Sequence, residues 1–265
     1  EYPWWPGQPG HEAIGRVEAV GDGVAADWSG NRVAVWRSTG PYQTGMYGSH
    51  GITLADNVLE IPEDMPADQV TSLELAMCVQ VSVDQLEEFG AVRGRRLAVA
   101  GMGPAGLVAL QLLRRAGAGE IVAIDHQQQR LDLALQLGAD SAVMPGDAFL
   151  PSGRNSEKAF HAAIDTTGQP VAIEDLLHRT RRAVALFGVI RQPVRFTPEL
   201  WYGGLSLIGY GEHNKAAGQC ALDAILDGSL DLRPLFTHRM PLSDYAGAVA
   251  MLDSMQAIKV LFAIP

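Results

Sequence analysis

The chain has 265 residues, 47% hydrophobic and 19% charged, which is enough material for two compact domains. Its formal net charge of −10 excludes nucleic acid as an expected partner, because neutralising phosphates requires clustered lysines and arginines. We expect no membrane partner either, since no apolar run approaches the roughly 20 residues that span a bilayer. Cys78 and Cys220 are the only cysteines, too few for a disulfide framework, so a cytoplasmic location is expected.

The first quarter of the chain predicts short strands separated by glycine-rich turns. The predicted strands cover residues 13–20, 32–36, 52–54 and 58–61. We expect them to form a small antiparallel, barrel-like region. The spacing of apolar residues changes near residue 66, and over 66–89 it predicts one helix.

From residue 96 onward, short apolar runs alternate with helical segments. The predicted strands cover residues 97–100, 121–124, 141–144, 162–164, 183–187 and 205–208. Near-continuous apolar strands between helices indicate a parallel sheet covered on both faces. The predicted fold class is therefore α/β, with a doubly wound parallel (Rossmann) sheet. After residue 209 the pattern predicts helix, strand, helix and strand over 216–226, 235–242, 245–255 and 259–264.

A glycine motif follows the first of these strands. Gly101, Gly103 and Gly106 form a G-x-G-x-x-G sequence, in which the first glycine permits a tight turn and the second admits a pyrophosphate. The third lets helix and strand pack closely. Asp125 lies 19 residues after Gly106, at the end of the next strand, where a carboxylate accepts ribose hydroxyls and repels a 2′-phosphate. The sequence therefore predicts NAD(H) rather than NADP(H) as cofactor.

Further candidate cofactor residues lie at the helix start and at later strand ends. Pro104 and Ala105 open the helix whose N-terminus offers amides and positive dipole to phosphates. Thr166 and Gly188 lie at the carboxyl ends of later strands, the edge where ligands bind in open α/β sheets. Two interpretations stay open for Asp165, as a ligand contact or as a cap of its own loop.

Other segments, in the right order, resemble the zinc-dependent alcohol dehydrogenase branch of the medium-chain dehydrogenases/reductases. They are residues 9–15 with a GHE signature, 19–24, 30–33 (GDRV-like, with Asn31 for Asp), 61–65, 237–242 and 258–260. The resemblance implies a GroES-like, mainly β catalytic domain formed by residues 1–85 and 210–265, with an NAD-binding Rossmann domain, 86–209, inserted between. It also implies NAD-dependent hydride transfer to or from a small-molecule alcohol or carbonyl substrate.

The same resemblance implies a catalytic zinc. His11 takes the histidine ligand position, and Glu12 is the neighbouring carboxylate that tunes or approaches the metal, so both are candidate catalytic residues. The third ligand is ambiguous: Cys78 is near the expected position, Glu74 lies one helical turn before it, and Cys78 also suits an ordinary buried thiol. His50 is either a substitute ligand or a solvated loop histidine.

The sequence departs from the family pattern ahead of His11. The family places a cysteine ligand well before GHE, and only ten residues precede His11 here, so we expect an N-terminal segment to be missing. The structural-zinc lobe is replaced by 38–50, which has no cysteine. Two alternatives therefore stay open, a zinc-free carbonyl or enoyl reductase and a catalytically inactive NAD-binding scaffold. We also expect a homo-oligomer that pairs through the strand at 205–208.

Overall fold

The structure is a computed structural model that describes residues 9–36 and 45–264. The first part of the chain forms β1 (Ala13–Arg16), β2 (Arg32–Val35), β3 (Val58–Glu60), α1 (Ala67–Val70) and α2 (Leu73–Glu88). The middle forms β4 (Arg96–Ala100), α3 (Pro104–Arg115), β5 (Glu120–Ile124), α4 (Gln128–Gln136), β6 (Ser141–Val143), β7 (Phe160–Asp165), α5 (Pro170–Arg179), β8 (Thr180–Leu186), α6 (Pro198–Tyr202) and β9 (Ser206–Gly209). The last part forms α7 (Lys215–Leu226), β10 (Phe236–Pro241), α8 (Tyr245–Asp253) and β11 (Lys259–Ala263).

The chain divides into two compact units. Unit 1 comprises Glu1–Met77, Asn214–Asp227 and Asp231–Pro265, and unit 2 comprises Cys78–His213 and Gly228–Leu230. The domain boundaries that we predict from the sequence, after residues 85 and 209, stay predictions. Within the described residues, none of the helices combines the length and the apolar character needed to cross a membrane.

Unit 2 is built on a six-stranded parallel sheet with the order β6-β5-β4-β7-β8-β9. The predicted doubly wound sheet is confirmed. Strand order reverses between β4 and β7, and open sheets of this kind bind ligands at that switch point, outside the carboxyl ends of the strands. β4 is central, with Leu97 paired to Ile121 on one side and to Ala162 on the other, and all three side chains are fully buried. Such burial explains the near-continuous apolar strands.

Unit 1 holds two small sheets. β1, β2 and β3 form an antiparallel sheet, and β10 and β11 form a parallel pair. Val33, Val35 and Val58 make the buried core of the first sheet. The residues that build this unit come from both ends of the chain, and β11 supplies a side chain to the candidate site described below.

Two sequence predictions about the first part of the chain are wrong in detail. Residues 52–54 form no strand, and Ile52 and Leu54 are 70% and 57% exposed, so the β-branched and apolar pattern there lacks a buried face. The helix predicted over 66–89 is interrupted between α1 and α2. At the interruption the Thr71 hydroxyl donates to the Ala67 carbonyl oxygen at 2.6 Å, a local bond that competes with regular helix pairing.

Candidate functional site

The turn from β4 into α3 requires glycine at two of its three motif positions. Gly101 has a φ of +88°, and a Cβ there would lie 2.7 Å from Thr166 Oγ1. A Cβ on Gly106 would lie 1.7 Å from the Gly101 carbonyl oxygen, so only glycine lets α3 pack this closely on the turn. These two glycines are therefore explained by the fold itself.

Gly103 is different, because the fold does not require it. Its backbone is extended, with φ −73° and ψ −172°, a conformation open to any residue. A Cβ there would meet no protein atom within 4 Å. Gly103 is the N-cap of α3 and Pro104 opens the first turn, which leads into Ala105. The free space beside this N-terminus fits a bound pyrophosphate, which needs close approach to the backbone.

Asp125 lies at the carboxyl end of β5, and its side chain accepts a hydrogen bond from the turn between β4 and α3. Its Oδ2 accepts the Met102 N–H at 2.6 Å, and its Oδ1 accepts the Gln127 N–H at 2.8 Å. The residue is 8% exposed. An ionised carboxylate has about four acceptor positions, so two protein donors leave capacity for ribose hydroxyls. The arrangement fixes the carboxylate beside the glycine turn.

Residues that closely follow β7 and β8 lie at the same edge of the sheet as the glycine turn. The Thr166 hydroxyl donates to the carbonyl oxygens of Ala100, at 2.9 Å, and Gly101, at 2.8 Å. A Cβ on Gly188 would lie 2.1 Å from the Gly168 amide nitrogen. Thr166 thus binds the glycine turn directly, and Gly188 allows two loops of this edge to touch.

Asp165 caps its own loop. Its carboxylate accepts the Thr167 hydroxyl at 2.6 Å and the amides of Thr167 and Gly168 at 3.1 and 2.9 Å. The side chain is fully buried, and this burial raises the pKa of Asp165 although the three donors oppose the shift. Of the two interpretations left open by the sequence, the structure supports the loop cap.

In unit 1 the GHE segment is held in place by an aromatic ring. Gly10 has a φ of +98°, and a Cβ there would lie 2.4 Å from Cδ1 of Tyr47. Tyr47 also packs edge-on against Phe262, with ring centroids 5.2 Å apart, and its N–H donates to the Pro9 carbonyl oxygen at 2.9 Å. Glycine at position 10 therefore lets the GHE segment pack directly against the Tyr47 ring.

His11, Glu12 and Glu74 come together as candidate metal ligands, each with a donor atom within 4.8 Å of the others. His11 Nε2 lies 3.8 Å from Glu74 Oε2, too long for a hydrogen bond. Two ligands on one tetrahedral zinc lie about 3.4 Å apart, given bonds of about 2.1 Å. Imidazole and carboxylates are suitable zinc donors, so the cluster fits the predicted metal.

The electrostatics of His11 favour a neutral ring. Burial lowers the pKa of His11, Glu12 raises it, and the charge of Lys259 lowers it again, with a net shift downward. A metal binds the neutral imidazole, so a lowered pKa keeps this ligand available at neutral pH.

Glu12 is tied to the last strand. Lys259, at the start of β11, donates from Nζ to Glu12 Oε1 at 2.7 Å. Burial raises the pKa of Glu12, but the charge and hydrogen bond of Lys259, with Ser72 nearby, outweigh burial and place this pKa below its usual value. The other oxygen, Oε2, is buried and has no partner of good hydrogen-bond geometry among the described residues. A buried carboxylate oxygen of this kind fits a nearby cation.

Cys78 belongs to unit 2, on α2, and is 8% exposed. His213 of the same unit has a ring nitrogen within 4.8 Å of the Cys78 sulfur, and Tyr210 Oη is 2.9 Å from His213 Nδ1. The predicted role of Cys78 as a metal ligand stays a prediction.

His50 is 74% exposed, and its Nε2 lies 2.9 Å from Glu18 Oε2, which supports a solvated surface histidine. Residues 38–44 of the shortened lobe lie outside the described residues.

Lys259 was not predicted as a site residue, although residues 258–260 are among the segments that resemble the family. A lysine at the start of a short strand carries no signal of its partner, because Glu12 is 247 positions away. His213 was also missed, since a single histidine in a loop has no spacing pattern. Glu74 was named only as a neighbour of Cys78, and the structure brings it to His11.

The comparisons agree with this geometry. A family model described as zinc-binding dehydrogenase matches residues 104–227, from the glycine-rich turn to the end of α7. The family model covers just under half of the chain, and together with the ordered motifs it supports the resemblance to zinc-type alcohol dehydrogenases of the medium-chain dehydrogenase/reductase family.

Individual relatives are similar over most of the chain. An L-threonine 3-dehydrogenase of Anaeromyxobacter sp. (strain K) is 28% identical, over 95% of this chain and 80% of its own length. An alcohol dehydrogenase from Thermus sp. ATN1 has a TM-score of 0.84 at 22% identity, covering 98% of this chain and 85% of its own. A protein from Escherichia coli CFT073 that is named a short chain alcohol dehydrogenase and was solved with NADH has a TM-score of 0.78 at 20% identity, covering 96% of this chain and 83% of its own.

Proposed function

We propose that this protein is an NAD(H)-dependent, zinc-assisted oxidoreductase that transfers a hydride between the nicotinamide cofactor and an alcohol or carbonyl substrate. The observation that carries the proposal is Gly103, a glycine that neither backbone conformation nor packing requires, at the N-terminus of α3. Such a glycine is explained by a ligand that must approach the backbone, and a pyrophosphate is the ligand that this turn suits.

The protein's own residues bind and orient the cofactor. The start of α3, with Pro104 and Ala105, offers amides and positive dipole to the pyrophosphate. Asp125 presents a carboxylate to the ribose hydroxyls and opposes a 2′-phosphate, which supports NAD(H) over NADP(H). Thr166 and Gly188 shape the opposite side of the turn without contributing a charge.

In unit 1, His11 is the proposed zinc ligand, with Glu12 and Glu74 beside it. When bound, zinc supplies Lewis acidity that polarises the alcohol or carbonyl oxygen. Because burial lowers its pKa, His11 stays neutral and available to the metal. Glu12 keeps a negative charge next to His11, balanced by Lys259. Cys78 is proposed as a further ligand from the family pattern alone.

The substrate class is a small molecule with a hydroxyl or carbonyl group. Since relatives at 24–28% identity are named L-threonine 3-dehydrogenase, a first substrate panel should include L-threonine beside simple primary and secondary alcohols. A cytoplasmic location is proposed with this substrate class.

The test combines cofactor binding, metal content and turnover in the purified protein, with its N-terminus verified by intact mass. NADH binding is followed by nicotinamide fluorescence, zinc by elemental analysis, and turnover by NADH absorbance with the alcohol panel. We expect NADH to bind more tightly than NADPH, about one zinc per chain, and turnover that a chelator removes.

Two outcomes would favour the alternatives. NADH binding and carbonyl or enoyl reduction without zinc would indicate a zinc-free reductase of the same fold. NADH binding without turnover of any panel substrate, in zinc-loaded protein, would indicate an inactive scaffold. Failure to bind NADH would overturn the proposal altogether.

We also propose a homo-oligomer formed through β9. In the described chain β9 is the last strand of its sheet, paired only with β8. Exposed apolar side chains lie on β9 and on the preceding segments, namely Val189 at 75%, Trp201 at 74%, Tyr202 at 88% and Leu207 at 40% exposure. A free strand edge beside apolar surface favours pairing with another copy.

A further inference from the structure

The contact between Lys259 and Glu12 joins β11 to the GHE segment. The ammonium group is 2.7 Å from Glu12 Oε1, and the two side chains are only 18% and 21% exposed. Since the pair is largely removed from water, each charge depends on the other. Lys259 therefore anchors the carboxylate through Oε1, and the nearby Ser72 hydroxyl also stabilises its charged form.

The second oxygen of the same carboxylate is in a different situation. Glu12 Oε2 is buried and lacks a partner of good geometry within the described residues. A donor atom of Glu12 also lies within 4.8 Å of donor atoms of both His11 and Glu74. Glu12 therefore pairs with Lys259 through Oε1 and also lies within reach of a metal that His11 would hold.

We infer that Lys259 is a positioning residue that holds Glu12 through Oε1 and keeps this carboxylate from becoming a permanent ligand of a metal on His11. The inference rests on the proposed zinc-assisted function. It goes beyond that function, because it assigns to a strand residue from the far end of the chain control over the number of metal ligands.

Lys259 and a metal on His11 would compete for one carboxylate. With Lys259 in place, moving Glu12 onto the metal would break a buried charge-assisted hydrogen bond and leave the ammonium unpaired, which is costly. Without Lys259 the carboxylate has no competing cation, and the repulsion between the ammonium and the metal also disappears. Loss of Lys259 should therefore strengthen metal binding, whereas loss of a merely structural residue should weaken it.

The experiment titrates metal-free full-length protein with Co²⁺ and records the visible absorption bands, with turnover measured separately. For Lys259→Met we expect at least tenfold tighter Co²⁺ binding and weaker visible bands, because the coordination number rises when Glu12 joins. Lys259→Arg retains the charge and the donor, so its affinity and spectrum should stay those of the wild type.

The double variant Lys259→Met/Glu12→Gln identifies the carboxylate as the cause. It should bind Co²⁺ with the affinity and spectrum of Glu12→Gln alone, since the effect of Lys259 requires Glu12. If Lys259→Met does not fold, as judged by circular dichroism, Lys259→Gln removes the same charge and should change affinity in the same direction.

The outcomes separate the two proposals. Folded Lys259→Met or Lys259→Gln protein with unchanged or weaker Co²⁺ binding would overturn the role of Lys259 and leave the metal centre intact. Tighter binding that persists equally in the Glu12→Gln background would overturn it as well. Wild-type protein that binds no Co²⁺ would overturn both this inference and the zinc-assisted part of the proposed function.

Discussion

Gly103 and Gly106 stand three residues apart in one motif but have separate reasons to be glycine. At Gly106 a Cβ would overlap the Gly101 carbonyl oxygen at 1.7 Å, so the constraint comes from the protein. At Gly103 no protein atom lies within 4 Å of the same position, so the protein imposes no such constraint there, and the proposed pyrophosphate would supply one. Substitution of Gly106 should therefore affect mainly the stability of the turn, and substitution of Gly103 mainly ligand binding.

This contrast gives a matched pair of variants. Gly106→Ala should lower the free energy of unfolding by about 3 kcal/mol, because the added methyl group cannot be accommodated without moving α3. Gly103→Ala should cost less than about 1 kcal/mol, since its backbone conformation suits alanine. The same Gly103→Ala variant should nevertheless bind NADH at least tenfold more weakly.

Thermal unfolding and NADH fluorescence titration measure the two effects. If Gly103→Ala bound NADH as the wild type does, the pyrophosphate would not lie at the start of α3. If Gly106→Ala were as stable as the wild type, the close packing of α3 on the turn would be in doubt.

A third glycine provides an independent test in unit 1. Gly10→Ala combines a φ of +98° with a Cβ 2.4 Å from the Tyr47 ring. We expect the GHE segment to shift, with weaker Co²⁺ binding and little change in NADH affinity, because the nucleotide turn belongs to the other unit. Equal loss of both affinities would instead indicate general unfolding.

The residues of the glycine turn could be predicted from the sequence, whereas those of the candidate metal cluster could be predicted only in part. Gly101, Gly103, Gly106 and Asp125 lie within 25 positions, and their spacing reflects one local strand–turn–helix unit. The partners of His11 are far away in sequence. Lys259 reaches Glu12 only after β11 has joined unit 1, and no local pattern encodes such a contact.

At the scale of elements, Asp140 connects the end of α3 with the start of β5. Its carboxylate accepts the Ile121 N–H at 2.7 Å and a hydrogen bond from the Arg114 guanidinium. Burial raises the pKa of Asp140, but the Ile121 amide and Arg114 outweigh burial and place this pKa below its usual value. The carboxylate thus stabilises the junction in its ionised form.

This contact predicts a pH dependence of stability. Because the folded state lowers the pKa of Asp140, its contribution is present above the usual aspartate pKa of about 4 and is lost as the pH falls through the folded value. Asp140→Asn should therefore lower the free energy of unfolding at pH 7 by at most about 1 kcal/mol, since solvent screens a side chain that is 42% exposed, and this difference should shrink as the pH falls from 7 to 3.

Denaturant unfolding at both pH values is the measurement, and Asp253→Asn on the exposed surface of α8 is the control. The control should change stability by no more than about 0.5 kcal/mol at either pH. A difference between wild type and Asp140→Asn that stayed constant from pH 7 to pH 3 would contradict the assigned role of the charge.

Element types were predicted better than their ends. Strands such as β4 and β5 are buried on both sides, and their apolar runs follow directly from that burial. The break between α1 and α2 could not be predicted, because Thr71 and Ser72 are compatible with a continuous helix. The false strand at 52–54 shows that an apolar run needs a partner strand as well as a suitable composition.

At the scale of the whole molecule, the open edge of the six-stranded sheet predicts self-association. Leu207→Lys on β9 should convert the oligomer into a smaller species, because a charge at a paired edge opposes strand addition. Leu226→Lys on α7, where the native side chain is 53% exposed, is the control and should leave the assembly unchanged. Sedimentation velocity distinguishes the species, and a wild-type monomer at micromolar concentration would refute the proposed pairing.

The discontinuous composition of unit 1 affects the order in which the protein folds during synthesis. Unit 2 is almost continuous in sequence, so nearly all of it has left the ribosome once residue 213 and a short further stretch have emerged. Unit 1 must wait for β10 and β11, and until then the Glu12 carboxylate has no Lys259 to pair with. Unit 2 therefore has all of its strands available for folding before the last strands of unit 1 have been synthesised.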